Sequence, residues 1–113
     1  MESAIVINGI ERKDANIIMA QTGSAVVGAI KSLQLATLRE RMKNSVAHFL
    51  YQKVDKQNGK IVIREAWGTL SEPLMKSKIT FPYSSSPKVQ VYFDVERGEF
   101  RSFRKCNFLT LLS

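Results

Sequence analysis

The sequence is poor in the residues that most often do chemistry. It has one cysteine, one histidine, three prolines and ten scattered carboxylates, and no apolar run long enough to cross a bilayer. Each shortage closes a class of function. The lone thiol, Cys106, excludes an internal disulfide and suits a reducing compartment. One histidine and one cysteine provide no zinc-ligand spacing. No GxSxG elbow, phosphate-binding glycine loop or dinucleotide fingerprint is present. His48 shares the strand parity of Val46 and Leu50, which suits a half-buried structural ring better than a catalytic base. The expectation is a protein that is not an enzyme and uses no metal or cofactor. The longest apolar stretch, "SAVVGAIKSLQLATL", is broken by Lys31, and "AIVI" behind Glu2 is too short for a secretory signal. A cytoplasmic, soluble protein without membrane contact is expected.

Positive charge is what the chain has in excess. Seventeen lysines and arginines against ten acids leave a formal charge of +7 over 113 residues. Such a charge favours polyanions, either nucleic acid or an acidic partner. The length supports one domain, and 44% hydrophobic residues allow a small core that oligomerisation would help.

Residues 1–23 are the least readable. Two apolar runs, "AIVI" and "NIIMA", flank "ERKD"; Asn8 and Gly9 suggest a turn. Asp14 could cap a short helix, and a two-stranded ribbon fits equally well. Residues 24–113 read as one helix-plus-barrel domain. Ser24 is a candidate N-cap, with Val27, Ile30, Leu33 or Gln34, and Leu38 near helical spacing. Arg39, Arg41 and Lys43 lie at that helix's end, where cations suit its dipole. No second helix and turn make it a helix-turn-helix reader.

From Val46 the pattern turns to β. "VAHFLYQKV" reads as a strand, Asn58-Gly59 as a hairpin signal, and "KIVIREAWGTL" as the return strand. The apolar parity of that strand changes between Ile63 and Ala66, with Gly68 just beyond, which suggests a strongly bent strand. Residues 71–87 hold all three prolines and read as a loop, with an edge strand at "KITF". In "KVQVYFDV", Val89, Val91, Phe93 and Val95 share one face and Gln90, Tyr92 and Asp94 the other. "ERG" turns the chain and "EFRSFRK" returns it. These short strands predict a mainly β, five-stranded antiparallel barrel of SH3 or Sm type behind an N-terminal helix.

The strongest binding signal is Arg101 and Arg104, interleaved with Phe100 and Phe103. Arginine offers a planar fork for phosphate, and aromatic faces can stack bases. The plainer alternative is that the phenylalanines pack inward and the arginines keep an outer face solvated. Register decides between them. A two-residue loop at Arg97-Gly98 sets Asp94 opposite Arg101, whereas a three-residue loop from Glu96 to Gly98 sets Phe93 opposite Arg101. An arginine on the apolar face then needs a carboxylate or a bound anion. Neither register keeps both phenylalanines on one face, so a local twist or bulge is expected. Arg64, Lys105, Trp67 and Tyr92 complete the candidate binding set.

"YFDVERGEFRSFRKCNF" resembles the end of WYL domains, whose phrase runs close to R-x-F-R-x-D-R-I; Arg101, Phe103 and Arg104 match it. Asn107 departs from it, standing where an arginine usually follows, and the Trp-Tyr-Leu triplet is absent. "GKIVIREAWGTL" and "RMKNSVAHFLYQKVDKQNGK" are similar to the smaller WYL-like group of Sm/SH3-type barrels from bacteria and phages. The resemblance covers about residues 38–109. It implies a five-stranded barrel preceded by a helix and a regulatory module that senses nucleic acid or a nucleotide. It also makes Arg101 and Arg104 the anion-contacting candidates. The alternatives are a protein–protein module that assembles as a dimer or ring, and a phage protein that sequesters a defence signalling nucleotide.

Overall fold

Ser24 opens the longest helix as the sequence suggests, its side chain accepting a hydrogen bond from the Val27 amide at 3.2 Å. The structure, a computed structural model, describes residues 9–75 and 86–113. Its elements run α1 (Gly9–Thr22), α2 (Ala25–Asn44), β1 (Ala47–Val54), β2 (Ile61–Thr69), α3 (Glu72–Met75), β3 (Val89–Asp94), β4 (Glu99–Arg104), a 3-10 turn at Lys105–Asn107, and β5 (Phe108–Leu111). The "AIVI" run, Asn8 of the suggested turn and the "KITF" strand lie outside the described residues.

Residues 9–22 form neither a ribbon nor a short helix capped by Asp14. They make up the four-turn α1, and Asp14 is buried in its middle. Gly23 and Ser24 join α1 to α2, with Gly23 at φ +76°. The buried residues of α2 are Gly28, Ser32, Leu35, Leu38 and Met42; of the expected stripe Leu38 is among them and Val27 packs partly buried against the core. Ile30 is exposed. The small residues win that face because α1 packs against it: a Cβ on Gly28 would lie 2.5 Å from the Ala15 carbonyl oxygen.

The sheet is antiparallel with strand order β4-β3-β2-β1-β5. β4 and β5 are its two edges, joined by the 3-10 turn and not hydrogen-bonded to each other, so the barrel is open along that seam. Phe49, Tyr51, Ala66, Tyr92, Phe103 and Phe108 project from the inner face onto Ile18, Leu35, Leu38 and Met42 of the helices. The aromatic rings interlock: Phe49 meets Tyr92 edge-on at 5.2 Å, and Tyr51 stacks on Phe103 at 4.8 Å. Gly68 admits this packing, since a Cβ there would come within 2.6 Å of the Tyr92 ring.

Two strand expectations are corrected. β2 does not change face: its ladder with β1 runs unbroken from Val54↔Ile61 to Ala47↔Gly68. Ile61 and Ile63 therefore stay on the outer face and are exposed, while Ala66 and Gly68 occupy the inner one. The β3–β4 register is neither of the two expected. Asp94 pairs with Glu99, Tyr92 with Arg101 and Gln90 with Phe103, leaving a four-residue turn at residues 95–98. The Asp94 carboxylate sets that length by accepting the amides of Glu96 and Arg97, both at 3.1 Å. The Gly98 amide then closes onto the Asp94 carbonyl at 2.8 Å, with φ at +68°. This ladder runs without a bulge. Phe103 points into the core and Phe100 to the opposite face, against Phe93 at 5.3 Å.

Candidate anion-binding groove

β4 is an edge strand, so one side of it faces the end of β1 across the open seam. A groove of about 670 Å³ runs there, lined by residues from Tyr51 to Val54, Lys56, Val89, the length of β4, and Asn107. Four cations reach it: Lys53 and Lys56 from the β1–β2 hairpin, Arg101 and Arg104 from β4. Glu99 is the one carboxylate in the lining. The lining residues thus carry a formal excess of three positive charges, and Asp94 approaches Arg101 from outside the lining, 3.8 Å from its Nε.

The four cations are not equivalent. Arg101 lies opposite Tyr92 on the inner face and meets the carboxylates that such a position requires. Its Nη2 donates to Glu99 Oε1 at 2.9 Å, and Asp94 Oδ2 lies 3.8 Å from its Nε. The Glu99 hydrogen bond holds the guanidinium pKa above its ordinary value. Lys53, Lys56 and Arg104 make no ion pair among the described residues. Arg101 is thus a positioned fork, and the other three are unneutralised charges around it. Below them, the Tyr51 and Tyr92 hydroxyls share a buried 2.8 Å hydrogen bond. Burial, then that bond, push the Tyr92 phenol far above its ordinary pKa.

The remaining candidates are placed elsewhere. Arg64 lies opposite Tyr51 in the ladder, beside a neighbouring hollow of about 430 Å³ that Lys53 and Lys56 also line. Trp67 is on the outer face, stacked on His48 at 4.2 Å, and His48 Nε2 lies 2.9 Å from Glu65 Oε2. Tyr92 is fully buried. Lys105 is occupied by a structural ion pair with Asp14, 2.6 Å away, whose other oxygen lies 2.8 Å from Arg39. Arg39 also donates to the buried Gln90 side chain at 3.2 Å, so this network ties α1, α2, β3 and the 3-10 turn together. The groove unites Arg101 and Arg104 with two lysines that sequence reasoning missed. The parity of Lys53 with Phe49 and Tyr51 was the signal that could have found one of them.

Cys106 is half-buried against the core, with its thiol 3.5 Å from the Asn107 side-chain oxygen. Among the described residues no three of His, Cys, Asp and Glu converge as metal ligands, and no helix is long and apolar enough to cross a membrane.

The family model described as WYL_2, Sm-like SH3 beta-barrel fold, matches residues 35–109, about two thirds of the chain. No curated protein and no solved structure matches it significantly.

Proposed function

The chain belongs to the WYL_2 family of Sm-like SH3 β-barrel folds, and on that premise we propose that it is a non-enzymatic regulatory module whose groove binds nucleic acid or a nucleotide-like anion. The observation that carries this reading is that Lys53, Lys56, Arg101 and Arg104 all line one groove along the free edge of β4, Arg101 from its inner face and Arg104 from the opposite one, with Glu99 the one carboxylate in the lining. Arg101, oriented by Glu99, supplies a planar fork for a phosphate. Arg104 and the lysines add charge without needing a fixed geometry. The module works in the reducing cytoplasm of a bacterium or phage-infected cell, where a free Cys106 persists.

The test is fluorescence anisotropy with single-stranded RNA, single-stranded DNA and a cyclic oligonucleotide at two salt concentrations. Binding weakens with salt, because phosphate contacts release counterions. Arg104→Ala and Lys53→Ala each lower the logarithmic salt slope by about 1. Arg101→Ala combined with Arg104→Ala weakens binding at least about tenfold. Unchanged affinity in the double variant would move the site elsewhere. Tight affinity for the cyclic oligonucleotide alone, indifferent to competing DNA, would favour capture of a signalling nucleotide. A second reading, a self-assembling or protein-docking module, is favoured by the exposure of Val26 and Ile30 on α2 and Met19 on α1. Light scattering that reports a dimer or ring, abolished by Val26→Asp, would support it.

A further inference from the structure

The β1–β2 hairpin extends beyond the core, and β2 leaves one side open. β2 pairs with β3 only at Gly68 and Thr69, and the Trp67 carbonyl accepts the Val95 amide. From residue 61 to residue 66 nothing pairs with that side among the described residues. Backbone groups of a strand alternate in direction. Trp67 points toward β3, and His48, opposite it, points toward β5 through Ser113 and Leu112. The odd-numbered residues Ile61, Ile63 and Glu65 therefore aim their N–H and C=O groups into the open side.

The two faces beside this edge differ in kind. Ile61 and Ile63 lie on the outer face, 66% and 53% exposed. Lys60, Val62 and Arg64 take the opposite parity, with Lys53 directly across from Val62. None of these three cations makes an ion pair among the described residues. A strand laid along the edge would set alternate side chains over an apolar row and a basic row.

We propose that the free edge of β2 is a docking site for an extended acidic segment of a partner protein, added to the sheet as a strand in which carboxylates alternate with apolar residues. Its carboxylates meet Lys60, Arg64 and Lys53, its apolar residues cover Ile61 and Ile63, and its backbone satisfies the three odd-numbered residues. A second copy of this chain is a poor occupant. Two-fold antiparallel pairing puts each residue opposite one of its own parity, because opposed side chains share a face and the axis passes through a residue pair. Lys60 and Arg64 are even and Glu65 is odd, so no symmetric register sets either cation opposite Glu65. The register centred on Val62 sets Lys60 against Arg64 of the other copy, a like-charge pair.

Amide hydrogen exchange on the full chain tests this, with a peptide of about eight residues alternating Glu and Val as the probe. In the free protein the Ile61, Ile63 and Glu65 amides exchange faster than those of Val62 and Arg64. The peptide slows the three fast amides at least about tenfold. A peptide of the same composition in two blocks leaves them unchanged. Lys60→Gln together with Arg64→Gln weakens the alternating peptide about tenfold. Protection of the three amides in the free chain, equal effects of the two peptides, or protection by a single-stranded oligonucleotide instead would each overturn the proposal.

Discussion

Tyr92 shows how one side chain can link packing to pH. Its ring fills the space that Gly68 leaves, and its hydroxyl is held by Tyr51 in the interior. Burial first, and the Tyr51 bond second, favour the neutral phenol and raise its pKa. A group whose pKa rises on folding contributes stability that is complete below its unfolded value, near 10.0. That stability is lost as the pH climbs from there toward the raised value. Urea unfolding at about pH 8 and about pH 11 should show a fall, and Tyr92→Phe should flatten it although it leaves Tyr51 short of a partner. At this scale the sequence was partly legible. Arg101 stood out by charge and spacing, but the register meant to give it its surroundings was misread: it lies opposite Tyr92. Lys105 looked equally basic, yet Asp14, distant in the chain, claims it.

Among the elements, local signals were readable where the backbone itself demands a residue type. Ser24 caps α2, and Gly59 and Gly98 take positive φ in their turns. The β3–β4 register was not readable, because a side chain sets it. Asp94 caps the turn by taking two amides, and no rule of loop length contains that choice. The stripe of α2 was legible only in part: Leu38 and Val27 do face the core, but hydrophobicity also marks the exposed Ile30, whereas close approach marks Gly28 and Ser32. Gly28→Ala tests this. Alanine is the better helix former by about 1 kcal/mol, so an exposed site would gain. Here the new methyl meets backbone in α1, and we expect a net loss of about 1–3 kcal/mol by chemical denaturation.

Across the whole molecule, charge is divided by role. Arg39 and Lys105 are spent on Asp14, and Arg101 is shared with Glu99 and Asp94. Among the described residues Lys53, Lys56, Lys60, Arg64 and Arg104 make no ion pair, and neither do Arg12, Lys13, Arg41 and Lys88. The net charge pointed to an anionic partner, but only the fold separates structural cations from available ones. Asp14→Ala would leave Arg39 and Lys105, 22% and 11% exposed, without their counter-ion and cost about 3 kcal/mol, seen as a lower urea midpoint. Arg104→Ala, on the open rim, should leave that midpoint almost unmoved, within about 0.5 kcal/mol.

The Asp14 network also has a consequence in time. As the chain leaves the ribosome, α1 and α2 emerge before the sheet, and Lys105 follows Asp14 by 91 residues. Until it arrives, the carboxylate in the middle of α1 lacks one of its two cations. β1 likewise waits for β5 to complete its second ladder. The nascent helices must therefore remain unlocked, with apolar surface uncovered, until the segment around Lys105 has been made. The 3-10 turn between β4 and β5 fastens α1.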